Sequence, residues 1–175
     1  EIRQAKVGGT DPVVELEELL ETFPDTRFNI DIKAWPALLP TLQLITHMGI
    51  WDRVCIGSFS DRRLGRVRNS LLNAGRAPCT SMGPLGVMAM KARQIGAPTV
   101  SFAHCAQVPV KFGGVPVVTQ GFIQVCHALN LQVHVWTIDD PAEMRRLVEL
   151  GVDGLMTDKP SVLKKTLVDM GVWSQ

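Results

Sequence analysis

The sequence predicts an α/β protein built on a parallel sheet. Three observations carry this. Short apolar strand patterns alternate with helical patterns along the 175 residues, the connections between them are short, and no linker, low-complexity tract or composition break divides the chain. One strand pattern, Phe28-Asn29-Ile30-Asp31-Ile32-Lys33, also alternates apolar with polar side chains, so Asn29, Asp31 and Lys33 share one strand face. A carboxylate and an ammonium on one strand face are costly to bury unless paired, hydrogen-bonded or bound to a metal. At the end of a parallel strand, such a face is where α/β enzymes place their chemistry.

The elements follow in order. Asp11-Pro12 reads as N-cap and first-turn proline of a helix, with Leu16, Leu19 and Leu20 as its buried stripe. A strand over 27–33 comes next, then a helix with Leu38, Leu42 and Ile45 facing inward. Val54 to Phe59 is a buried strand, and a helix from Ser60 or Asp61 turns Leu64, Val67 and Leu71 to one side. Ala77 to Thr80 is a weak strand, Val87 to Ile95 a helix, and Pro98 to Ala103 a strand. Gln107 to Gln120, with Gly113-Gly114 between two prolines, reads as a loop over the open face of the sheet. Phe122 to Leu131 is helical and Gln132 to Ile138 is a strand with His134 and Trp136 on one face. Asp140, Pro141 and Glu143 spell a capping box, Gly151 ends that helix, Gly154 to Thr157 is the last strand, and Pro160 opens the last helix. Six strand–helix units therefore follow an opening helix.

Composition narrows the function classes. A net charge of +1 gives no case for nucleic acid. No apolar run approaches the ~18 residues that span a bilayer, and Glu1 to Lys6 has no signal-peptide core. The four cysteines, Cys55, Cys79, Cys105 and Cys126, show no C-x-x-C spacing and read as structural core in a reducing, cytoplasmic compartment. Arg62, Arg63, Arg66 and Arg68 read as a solvated helix face. Ser58, at a strand end, faces either a ligand or the next helix as its cap, and Asp158 caps the last helix or joins the site rim. His47, His104 and His127 read as structural or solvated, His134 as a satisfied interior histidine rather than a catalyst, and Trp136 as a ligand wall or a core residue.

The segments Phe28 to Lys33, Gly57-Ser58-Phe59, Val133-His134-Val135-Trp136-Thr137-Ile138 and Gly151 to Pro160 occur in an order that resembles the glycerophosphodiester phosphodiesterases. The resemblance implies a (β/α)8 TIM barrel of the phospholipase C-like type. It makes residues 1–175 a single partial domain holding strands 3 to 8, with the first two βα units absent. It implies metal-dependent hydrolysis of a glycerophosphodiester to glycerol 3-phosphate and an alcohol, with Mg²⁺ or Ca²⁺ as cofactor. Asp31 falls on a metal carboxylate, where the family more often has Glu, and Lys33 on a lysine beside the phosphate. Trp136 and Ser58 fall on the substrate side. The family's acid–base histidines and its Glu-x-Asp ligands match nothing here, so this chain supplies no catalytic acid–base residue and is expected to be inactive alone. The substrate is a small glycerophosphodiester or, in an enzyme of lysophospholipase D type, a lysolipid. A non-catalytic fragment is the other alternative, and the missing N-terminal segment or a second chain would cover the open strand edges.

Overall fold

A computed structural model of the chain describes residues 5–72 and 79–173, with side chains described for residues 5–70 and 79–173. Its elements are β1 (Lys6–Val7), β2 (Asp11–Pro12), α1 (Leu16–Thr22), β3 (Phe28–Asp31), α2 (Trp35–Met48), β4 (Val54–Gly57), α3 (Asp61–Leu72), β5 (Cys79–Thr80), α4 (Pro84–Arg93), β6 (Cys105–Pro109), β7 (Lys111–Phe112), β8 (Val115–Pro116), α5 (Gln120–His127), β9 (Gln132–Trp136), α6 (Pro141–Leu150), β10 (Gly154–Leu155) and α7 (Pro160–Asp169).

The main strands are all parallel and follow chain order. β3, β4 and β5 pair in one sheet, and β6, β9 and β10 in another. A parallel bridge from Ser81 to Cys105 joins the two, with Met82 N–H donating to the Cys105 carbonyl at 2.8 Å and His104 N–H to the Thr80 carbonyl at 2.9 Å. The strand sequence is therefore continuous from β3 to β10, with a helix after each strand, as in six consecutive units of a βα barrel. Among the described residues, β3 pairs only with β4 and β10 only with β9, so the ring is not closed.

Alternation along the strands builds two faces. Ile56, Ala106, Val108, Val133 and Val135 are buried beneath the helices. One core gathers Ile32, Leu38, Leu42, Ile45, Val54, Ile56 and Val67. A larger one gathers Met90, Phe122, Ile123, Cys126, Met144 and Leu147 around β6 and β9. Of the helix stripes expected from periodicity, Leu20, Leu38, Leu42, Ile45, Leu64 and Val67 are buried and Leu16 and Leu19 half-buried, while the side chain of Leu71 lies outside the described residues. Half of the expected capping box is present, since the Glu143 carboxylate turns to Arg146 instead of back to Asp140. The Asp140 carboxylate accepts from Glu143 N–H at 2.9 Å, and Gly151 ends the helix at φ 95°.

Three expectations are corrected. Asp11-Pro12 does not cap a helix: Val7 pairs with Asp11 and Lys6 with Pro12 in a hairpin, because Gly8 and Gly9 supply the positive φ its turn needs. The helix starts later, at Leu16. The strand expected over 98–103 is irregular; Val100 and Phe102 are 78% and 76% exposed, and the buried alternation belongs to Cys105–Pro109, paired along β9. The stretch 107–120 accordingly holds the end of that strand and the β7–β8 hairpin as well as loop. The weak strand is observed as Cys79–Thr80, while Ala77 and Pro78 lie outside the described residues. No helix among the described residues is long and apolar enough to cross a membrane.

Candidate active site

The strand face opposite the helices carries a line of polar and small side chains. Register places Asn29 beside Cys55 and Cys55 beside Cys79. It also places Asp31 beside Gly57, Gln107 beside His134, and Pro109 beside Trp136. Gln107 Nε2 donates to Asn29 Oδ1 at 3.0 Å, tying β6 to β3 across the concave side. Gly57 leaves room for these side chains, since a Cβ there would stand 3.2 Å from Ser81 Oγ and 3.5 Å from Gln107 Oε1. Gly154 does the same beside His134, whose Cδ2 would lie 2.9 Å from an added Cβ. Burial holds the His134 imidazole below its ordinary pKa, against the opposing pull of Asp153 and then Cys79.

At the C-terminal ends of the strands four groups come together. Lys33 Nζ donates to Asp31 Oδ2 at 2.6 Å and lies 6.0 Å from the centre of the Phe59 ring. Phe59 packs edge-on against Trp136, with centroids 5.9 Å apart and planes at 71°. Asp31 and Lys33 from β3 and its following turn, Phe59 after β4, and Trp136 at the end of β9 therefore share one mouth. The side chains of Lys33 and Asp31 are 78% and 30% exposed, so the pair faces solvent access rather than packed hydrocarbon. The Trp136–Thr137 peptide at this mouth is cis.

Ser58 is buried. Its hydroxyl donates to the Ile32 carbonyl at 2.6 Å and accepts from Arg63 Nε at 2.9 Å; the same Nε also donates to the Ile32 carbonyl at 3.1 Å. The bracket fixes the backbone just before Lys33. Arg68 likewise turns inward, donating from Nε to Thr80 Oγ1 and from Nη2 to the Ser81 carbonyl, both at 3.0 Å. The arginine run is thus not one solvated face: Arg62 and Arg66 are exposed, while Arg63 and Arg68 tie α3 to the strand ends. Asp158 does not cap α7, where Lys159 occupies the N-cap with no side-chain bond. Instead Asp158 N–H and Thr157 Oγ1 donate to Asp139 Oδ1 at 2.9 and 2.7 Å, and these bonds, Thr157 first, hold the Asp139 carboxyl below its usual pKa. Asp153 accepts from Val133 N–H at 2.7 Å and bonds His127 Nε2 at 2.8 Å, so the acid of the Gly-Val-Asp-Gly motif is a structural anchor.

At the other end of the same face lie three thiols. Cys55, Cys79 and Cys105 bring their sulfurs within 4.8 Å of one another, and Cys55 Sγ stands 3.8 Å from Cys105 Sγ. All four cysteines are free. Sulfur hydrogen bonds, first from Cys105 and then from Cys55, hold the Cys79 thiol below the usual thiol range; those from Cys105 and then Cys79 hold Cys55 above it. Spacing conceals the trio, because its members sit one strand–helix repeat apart. The available signal is that each stands at or near the start of a successive strand. Phe59, part of the Gly57-Ser58-Phe59 motif, stands at the mouth, and Arg63, expected on a solvated face, turns in to brace it.

Comparisons with known proteins point to one family. The sequence model of the Glycerophosphoryl diester phosphodiesterase family matches residues 37–162, a span that includes Ser58 and Trp136 and begins after Asp31 and Lys33. The Probable glycerophosphodiester phosphodiesterase 2 of Mycobacterium tuberculosis is 37% identical over 179 residues, covering 99% of this chain and 67% of the relative. A lysophospholipase D of Rattus norvegicus is 27% identical, covering 96% of this chain and 61% of its own length. Among solved structures, a glycerophosphodiester phosphodiesterase from Parabacteroides distasonis superposes with a TM-score of 0.74 at 19% identity, covering 97% of this chain and 70% of that one. At that identity the likeness speaks for the fold, and it is the fold of the phosphodiesterase barrel over nearly all of this chain.

Proposed function

Because the chain belongs to the glycerophosphoryl diester phosphodiesterase family, we propose that it supplies the third-to-eighth-strand share of an active site that hydrolyses glycerophosphodiesters with the help of a divalent cation. The chain spans about two thirds of the length of the relatives it matches, and the activity proposed is that of a chain carrying the complete barrel. The observation that carries the reading is the convergence of Asp31, Lys33, Phe59 and Trp136 at one mouth, on the catalytic end of the strands.

Asp31 offers a hard oxygen donor at that mouth, which suits Mg²⁺ or Ca²⁺. Among the described residues no group of three ligands converges on it, so Asp31 fits as one ligand of a site whose other oxygens come from elsewhere. The bound ion would neutralise phosphoryl charge and orient the attacking oxygen. Lys33 is placed to accompany it, its ammonium carrying positive charge toward the non-bridging phosphate oxygens as charge develops there. Trp136 and Phe59 form an apolar wall beside the leaving alcohol. Ser58 serves through the loop, since its hydroxyl is already engaged by Ile32 and Arg63, and so holds Lys33 in register rather than touching substrate. The products are glycerol 3-phosphate and the released alcohol.

The test is hydrolysis of glycerophosphocholine by the complete protein, with Lys33→Met lowering kcat by about 10²- to 10³-fold, the scale for loss of one transition-state donor. Unchanged kcat in that variant removes Lys33 from the reaction. A second reading, activity on a lysolipid, is favoured by one observation. The β7–β8 hairpin follows β6 on the same side as the mouth and presents Phe112 and Val115 at 74% and 61% exposure, an apolar surface suited to an acyl chain. Turnover of lysophosphatidylcholine in preference to glycerophosphocholine would select it.

A further inference from the structure

From the three thiols at the foot of the strands we infer a second metal site, in which Cys55, Cys79 and Cys105 bind one soft, thiophilic cation of the Zn²⁺ or Cu⁺ type, separate from the Asp31 mouth. The geometry carries it. A metal–thiolate bond of about 2.3 Å in tetrahedral geometry sets neighbouring sulfurs about 3.8 Å apart. Cys55 Sγ and Cys105 Sγ already stand at 3.8 Å, and all three sulfurs lie within 4.8 Å of one another. The ligands come from β4, β5 and β6, whose backbones are locked by parallel pairing and by the Ser81–Cys105 bridge, so the site is held on rigid elements rather than on loops.

The surroundings agree. Barrel interiors are ordinarily packed with branched apolar side chains, yet here three successive strands bring their sulfurs together. Cys105 is buried, while Cys55 and Cys79 are only half-buried, leaving a route for an ion. A disulfide does not explain the cluster, because it would engage two sulfurs and leave the third, and Cys55 and Cys105 belong to strands separated by β5. Soft thiolates select zinc and cuprous ions over the oxygen-seeking Mg²⁺ and Ca²⁺. Binding releases the thiol protons to solvent, so affinity rises with pH. Three thiolates leave a fourth tetrahedral position open.

The experiment uses the reduced, metal-stripped protein under anaerobic conditions, titrated with Co²⁺ and then with Zn²⁺ or Cu⁺. The expected result is thiolate-to-cobalt charge-transfer absorption that saturates at one ion per chain and is displaced by the softer ion. Zinc affinity, measured against a chromophoric chelator, falls at least tenfold in Cys79→Ser and in Cys105→Ser. It is unchanged in Cys126→Ser, whose thiol lies in the outer core. Asp31→Asn also leaves the cobalt bands intact, so loss of phosphodiesterase activity and loss of this site are read separately. Should a serine variant fail to fold by circular dichroism, protection of the wild-type trio from alkylation by added zinc gives the same answer. Absence of charge-transfer bands, zinc affinity untouched in Cys79→Ser, undiminished alkylation, or an intact mass showing a disulfide within the trio in protein isolated without reductant overturns the proposal.

Discussion

Arg63→Met tests the link between the fold and the mouth. The substitution keeps an apolar stem along α3 and removes the Nε donor that reaches the Ile32 carbonyl at 3.1 Å and Ser58 Oγ at 2.9 Å. Neither partner is orphaned, because Ser58 still donates to Ile32 at 2.6 Å. The loss is therefore that of a charge-assisted hydrogen bond without an added burial penalty. Such bonds contribute about 1.5–3 kcal/mol, and a half-buried, shared donor falls at the lower end, about 1.5 kcal/mol. That is roughly a tenfold fall in the folding equilibrium constant, and with a urea slope of about 1.5 kcal/mol per molar it moves the midpoint down by about 1 M. Arg62→Met and Arg66→Met, on the exposed side of the same helix, stay within about 0.5 kcal/mol of wild type. In the complete enzyme Arg63→Met also lowers kcat, by less than Lys33→Met does, because it loosens the backbone before Lys33. A urea midpoint for Arg63→Met indistinguishable from that of Arg62→Met refutes the bracket.

Other consequences can be measured alongside it. Asp153→Ala removes the acceptor of a buried Val133 amide and is expected to lower unfolding free energy by about 1–3 kcal/mol, whereas His127→Ala, at the exposed end of the same contact, costs less than about 1 kcal/mol; chemical denaturation separates the two. Gly154→Ala drives a Cβ against the His134 ring and should lose about 1–3 kcal/mol to overpacking, seen as a lowered Tm. Asp139, Glu143 and Asp169 are held below the usual carboxylate range, chiefly by hydrogen bonds from Thr157, Arg146 and Lys165 respectively. A depressed folded-state pKa contributes stability that is present at neutral pH and lost as pH falls below about 4. Acid titration by nuclear magnetic resonance should accordingly show the Asp139 carboxyl titrating higher in Thr157→Val than in wild type.

Local signals were the readable ones. The stripe of Leu38, Leu42 and Ile45, the Asp140 cap and the Gly151 stop each depend on neighbours within a turn, and each stands in the structure as the residues imply. Asp11-Pro12 misled because a cap and first-turn proline look the same in sequence as the second arm of a Gly-Gly hairpin; the difference is made by pairing with Lys6 and Val7. The strand expected over 98–103 misled for a similar reason. Val100 and Phe102 alternate like a strand, but only Cys105–Pro109 can pair with β9 while burying Ala106 and Val108. Asp31 and Lys33 were visible because polar side chains on one strand face stand out. The Phe59–Trp136 contact, the Ser58–Arg63 bracket and the thiol trio were not, because each is assembled by the sheet from residues on different elements.

Metal-dependent turnover is the most direct measurement. The complete protein is assayed on glycerophosphocholine with Mg²⁺ or Ca²⁺ and with chelator, beside Asp31→Asn and the 175-residue chain alone. The expected result is release of glycerol 3-phosphate that needs the ion, falls by at least about 10²-fold in Asp31→Asn, and is absent from the isolated chain. Wild-type turnover by Asp31→Asn, or turnover that ignores the chelator, contradicts the assignment of Asp31 to the metal.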